Sequence, residues 1–165
     1  MSWDEIQTEL SSTLKKLKEE GLSEIKNINF NKGVYVFYEN DEPIYVGRSN
    51  RIKSRLREHG KDNSTHYSAS FAFLLSKYIA KEKNIALVNV DSKKLTRSEL
   101  VSHDLFKDIF TAQKQRVAKM KFKAIEMEDS NFQAVFEIYA SMQLNTLYNK
   151  FDNHWIYKIL IINDF

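Results

Sequence analysis

Gly33-Val34-Tyr35-Val36-Phe37-Tyr38, then Glu39-Asn40-Asp41-Glu42, then Pro43-Ile44-Tyr45-Val46-Gly47 is the stretch that decides the fold. On both sides of the polar tetrapeptide, residues alternate with a period of two, which predicts two strands joined as a β-hairpin. Pro43 has no ladder donor and therefore belongs at the start of the second strand. Because strand side chains alternate between faces, Tyr35 and Tyr45 share a face only when opposed residues have an even number sum, as with Tyr35 opposite Tyr45 or Gly47. That register is the expected one.

Downstream, Ser49 or Asn50 is expected to cap a helix that runs to about His59, with Gly60 as its stop signal. Ile52 and Leu56 face the core in that helix. Arg51, Arg55 and His59 form a second row beside them, and Lys53 and Arg57 point away. Spacing predicts a further helix over 67–83, and the β-branched run Ile85 to Val90 reads as a short strand. Thr96 with Glu99 is a capping-box pattern ahead of a helix or helix pair carrying Leu100, Phe106, Ile109, Phe110 and Val117. Lys121 to Glu128 reads as another strand. Ser130 with Gln133 reads as the cap of a last helix with Phe132, Val135, Phe136 and Tyr139 on its apolar stripe. At the other end, Ser2 with Glu5 opens an amphipathic helix that Gly21 ends, and Trp155 to Ile162 is apolar enough to need cover. The class is α+β: a small antiparallel sheet of three or more strands flanked by helices.

The 165 residues suit one domain, and the absence of cysteine excludes a disulfide framework, a thiolate metal site and a catalytic thiol. No secretory signal and no run of eighteen apolar residues is present, so a cytoplasmic location and no membrane are expected. A net charge of +3 is compatible with nucleic acid but does not argue for it. His66, His103 and His154 lack metal-ligand spacing, which speaks against zinc, and no Gly-rich phosphate loop points to a nucleotide cofactor.

Gly33-Val34-Tyr35, nine residues, then Tyr45-Val46-Gly47 resembles the paired signature of the GIY-YIG nuclease superfamily. Either tripeptide alone carries nothing. Together they lead into a helix with Arg55 in a Ser-Arg-Leu context, followed by His59, by Glu137 inside a later helix, and by Asn149 twelve residues beyond it. The resemblance spans about 30–152 and implies a division into an N-terminal helix extension (1–29), a nuclease-like domain (30–154) with an insertion near 84–120, and an apolar tail (155–165).

The resemblance implies a metal-dependent endonuclease acting on DNA. Glu137 would hold one divalent ion, Mg²⁺ or Mn²⁺, Arg55 would stabilise phosphate, and Tyr35 or Tyr45 would activate water. His59 would orient that water or relay a proton, with Gly33, Gly47, Arg48 and Asn149 in support. Chemistry agrees: a phenol with pKa near 10 is only about 0.1% ionised at neutral pH, so it needs nearby positive charge to act as a base. Arg51, Lys114, Arg116 and Lys119 are candidate contacts to the DNA backbone, and double-strand cleavage by so small a site would call for a homodimer. Taken singly, each feature is ordinary: tyrosine pairs pack across strands, and helical Arg, His and Glu are solvated. The alternative reading is a catalytically inactive nucleic-acid-binding module on the same scaffold.

Overall fold

The structure, a computed structural model, describes residues 2–88 and 92–149. Helix α1 (Trp3–Glu19) opens with the expected capping box, in which the Ser2 side chain accepts from the Glu5 N–H. After a 3₁₀ turn at Ile25–Asn27 come β1 (Gly33–Glu39) and β2 (Glu42–Ser49), then α2 (Ile52–Gly60), α3 (Ser70–Glu82), α4 (Arg97–Ser102) and α5 (Asp104–Ala118). Strand β3 (Lys121–Glu126) and α6 (Ser130–Gln143) complete the order. All pairing is antiparallel, in the order β2-β1-β3, so β1 is central. The fold is the expected α+β sheet flanked by helices.

Asn40 and Asp41 form the hairpin turn, both with positive φ (51° and 64°), a conformation that short polar side chains tolerate best. Pro43 sits on β2, an edge strand, where its missing donor interrupts no inner ladder. The register shifts beyond Phe37, so that Tyr38 faces Pro43.

The sheet separates two cores. On one face Tyr35, Phe37, Phe122 and Ala124 pack with Ile52 and Leu56 of α2, Phe71 and Phe73 of α3, and Phe106 and Phe110 of α5. On the other, Val34, Val36 and Val46 meet Leu10, Leu14 and Leu17 of α1 and Phe136 and Ala140 of α6. Both the N-terminal helix and much of the 84–120 segment therefore supply core residues. Gly60 is the last residue of α2; a Cβ there would meet Ala118 at 2.7 Å, so this glycine permits close approach of α2 to α5.

Several local expectations are corrected. Helix α2 starts from Arg51 without a side-chain cap, because the Ser49 hydroxyl accepts from the Arg51 N–H instead. Lys53 folds back to donate to the Ile28 carbonyl at 3.3 Å. The cap of α6 is Asp129, one residue before Ser130, and Val135 is exposed while Gln133 is buried. Residues 85–88 form only an isolated bridge, Val88 to Lys94, rather than a strand; the rest of that predicted strand and the tail Trp155 to Ile162 lie outside the described residues.

Candidate active site

Register aims the two tyrosines. Tyr35 lies opposite Gly47 and Phe37 opposite Tyr45, so both phenols project to the α2/α3 face, as the even-sum rule requires. Gly47 is needed there: a Cβ at this position would stand 2.5 Å from Cζ and from the hydroxyl oxygen of Tyr35. The Tyr45 ring stacks on Phe71 with centroids 4.2 Å apart and planes 15° from parallel.

His59 lies fully buried beneath this pair. Its Nε2 is 2.7 Å from the Tyr35 hydroxyl, and its Nδ1 accepts the Phe71 N–H at 3.4 Å. Acceptance at Nδ1 puts the ring proton on Nε2, so the imidazole donates to the Tyr35 oxygen. Burial, helped by the Arg55 charge, pulls the His59 pKa down to about 3. It is neutral at ordinary pH, and its hydrogen bond toward the cleft runs through Tyr35.

The phenols depart from the charge-assisted expectation. Burial pushes Tyr45 up to about 12 and Tyr35 well above its ordinary value; the Arg55 charge opposes this in both and does not overcome it. Desolvation of the phenolate outweighs one nearby guanidinium.

Arg55 is held from both sides: Nη1 donates to the Ser68 carbonyl at 2.7 Å and Nη2 to the Ser70 hydroxyl at 2.6 Å, with Glu58 3.9 Å away. Arg48 emerges from β2 opposite Val34, on the α6 face, and its Nε donates to Glu137 Oε2 at 3.1 Å. Glu137 is mostly buried, and desolvation raises its pKa against the pull of Arg48 and Arg55. Tyr35, Tyr45, Arg48, Ser49, Arg51, Arg55 and Glu137 line one cleft of about 430 Å³. A larger groove, about 660 Å³, lies between the 3₁₀ turn, α2 and β3 and contains none of these residues.

The remaining predicted residues lie apart. The Asn149 side chain grips the free edge of β2: Oδ1 accepts the Val46 N–H and Nδ2 donates to the Val46 carbonyl, both at 2.7 Å. Gly33 has no room for a Cβ because the Ile125 carbonyl of β3 occupies that space. Lys114 and Arg116 do not join Arg51 at the cleft. Lys114 is buried, donating to the Asp62 carbonyl and lying over the Phe110 ring. Arg116 forks onto Glu39 at 2.7 and 2.5 Å. Lys119 is exposed at the end of α5.

A family model of the GIY-YIG catalytic domain matches residues 31–150, well over half of the chain. The chain belongs to the GIY-YIG family. That family is of nuclease type, and the match begins beyond α1, although α1 furnishes part of the second core. No curated protein and no solved structure matches the chain. In this GIY-YIG domain Ser49, expected only as a helix cap, also lines the cleft, and Ser68, Ser70 and Phe71, to which the sequence assigns no site role, support its residues from behind. Isolated serines carry no pattern, and the Phe71 N–H becomes a partner of His59 only through tertiary packing. The single legible hint was Ser68-Ala69-Ser70 directly before a helical run, a place where serines commonly serve the backbone.

Proposed function

We propose that the protein is a divalent-metal-dependent endonuclease that hydrolyses DNA phosphodiester bonds in the cleft between β2, α2 and α6. The observation that carries this reading is the convergence of two phenols, three guanidinium groups and one carboxylate on a single cleft. Such a set can bind a polyanion, stabilise charge that grows on a phosphate, and move a proton.

Glu137 would hold the ion. Among the described residues no three His, Cys, Asp or Glu side chains gather into a cage, so an ion here would rest on one carboxylate, water and substrate oxygens. Mg²⁺ is commonly bound in that manner. When bound, the ion would neutralise phosphate charge and add positive potential beside the phenols.

The chain's own groups would divide the remaining work. Arg55 meets a phosphate oxygen with its guanidinium already oriented by Ser68 and Ser70, so little reorganisation accompanies binding. Once positive charge in the cleft favours its phenolate, Tyr35 gives up its phenolic proton to solvent and, as the phenolate, takes a proton from the attacking water; the His59 Nε2–H stabilises that phenolate. Tyr45, fixed by Phe71, orients the water or the phosphate. Arg51 adds charge at the rim.

Supercoiled plasmid incubated with Mg²⁺ tests the proposal. Nicking by the wild type, lost in Arg55→Ala and Glu137→Ala and on chelation with EDTA, is the expected result. Equal nicking by all three proteins, or binding without any nicking, overturns it; the second outcome would favour the inactive binding module.

A further inference from the structure

We propose that Arg48 is a stand-in cation for Glu137: its guanidinium holds the carboxylate in the metal-free protein and must leave it before a divalent ion can bind, so that Arg48 sets the metal affinity of the cleft. This rests on the metal assignment made above.

The two partners differ in how tightly the structure holds them. The Glu137 side chain is 19% exposed and that of Arg48 is 42% exposed. The charge on a carboxylate with so little water around it is favoured by a cation beside it. The guanidinium has the opposite freedom, because it can swing into solvent on a long side chain with little loss of hydration. Their contact is also partial. Only Nε of Arg48 bonds Glu137, at 3.1 Å, and no bond fixes its two terminal nitrogens among the described residues. Arg116 provides the contrast, since it forks onto both oxygens of Glu39 through two nitrogens. A one-point, solvent-facing contact is suited to exchange, whereas the forked pair is suited to permanence.

The other arginines of the cleft cannot replace Arg48 in this role. Arg55 is committed to Ser68 and Ser70, and Arg51 reaches Glu58 at 3.4 Å. Neither contacts Glu137 among the described residues. Strand register reinforces the division: Arg48 emerges on the α6 face of β2, opposite to Tyr45 and Gly47, so the ion pair bridges strand to helix.

A stand-in and a positioning residue predict opposite signs. If Arg48 competes with the ion, removing it tightens metal binding; if Arg48 aims the carboxylate at the ion, removing it weakens binding. Mn²⁺ titration of the full chain, followed by electron paramagnetic resonance of the free ion, measures this without substrate or turnover. Arg48→Gln is expected to bind Mn²⁺ up to about fivefold more tightly than wild type, the scale of one partly exposed ion pair. Arg48→Met repeats the test with a different side chain, and circular dichroism checks the fold of each. Arg51→Gln removes the same charge from the same cleft without touching Glu137 and should change affinity by clearly less. Adding Glu137→Gln to Arg48→Gln should abolish the gain.

Affinity in Arg48→Gln and Arg48→Met that is unchanged or weaker, while Glu137→Gln still lowers binding in the wild-type background, overturns the stand-in role and leaves the metal site intact. An equal gain in Arg51→Gln also overturns it, because the effect is then one of net charge. Binding that is indifferent to Glu137 in every background removes the metal site itself, and with it the reading on which this inference rests.

Discussion

His59 offers the sharpest test of the site's electrostatics, through stability rather than activity. Its pKa is about 3 in the folded chain and near 6.5 when unfolded. Between these values the unfolded chain binds a proton that the folded chain refuses, so stability falls as pH drops from 6.5 toward 3. At pH 5 the unfolded imidazole is about 1.5 units below its pKa while the folded one is still neutral. At roughly 1.4 kcal/mol per unit, the loss relative to pH 7.5 is about 2 kcal/mol. Full burial of the ring means that no solvent screening reduces this figure. His59→Gln keeps a neutral amide that can donate to Tyr35, and it cannot titrate. Urea unfolding of both proteins at pH 7.5 and 5.0 isolates the effect, because the other three histidines are common to both. Wild type should lose about 2 kcal/mol more than His59→Gln over that interval. Parallel losses would show that the imidazole gains its proton in the folded state, and the acceptance of the Phe71 N–H by His59 Nδ1 would fail with it.

Gly47→Ala should cost about 1–3 kcal/mol, since the added Cβ collides with the Tyr35 phenol at 2.5 Å, and plasmid nicking should fall with it; an unchanged melting curve refutes the packing argument. Asn149→Leu removes both bonds to Val46 and should destabilise by about 1–3 kcal/mol. Hydrogen exchange reads this residue by residue: the Val46 amide should lose protection, whereas the inner amides of β1 should not. Arg55→Lys keeps the charge and forfeits the fork onto Ser68 and Ser70, so nicking should fall by about tenfold or more, with the greater part in kcat.

The hairpin was legible because alternation, a polar turn and a strand-opening proline all point the same way. Parity made a shared face for Tyr35 and Tyr45 depend on an even-sum register, and the observed pairing of Tyr35 with Gly47 has it. Capping boxes at Ser2 and Thr96 were equally plain, since each is a local pattern of two residues. Errors arose where a side chain had more than one partner within reach. Ser49 turned to the Arg51 N–H rather than capping α2, and Lys53 turned inward to Ile28. The α6 cap moved from Ser130 to Asp129 because both residues can serve and spacing cannot separate them. Lys114 was hardest to foresee: a lysine in a basic run reads as solvated, yet packing of α5 on α2 buries it against Phe110 and the Asp62 carbonyl.

The two tripeptides act as one physical object. A side chain at position 47 and a ring at position 35 cannot occupy the same volume, so the glycine of the second tripeptide exists for the tyrosine of the first. Gly33 repeats the arrangement against the Ile125 carbonyl on the other neighbour of β1. Close packing then dictates the resting charge state. By drawing Tyr35, Tyr45 and His59 away from water, the fold favours the neutral form of each, while three arginines line the cleft beside them. The free energy needed to ionise a phenol must therefore come from what enters the cleft. A buried base of this kind stays protonated until its substrate and counter-ions arrive, which ties proton transfer to occupancy of the site.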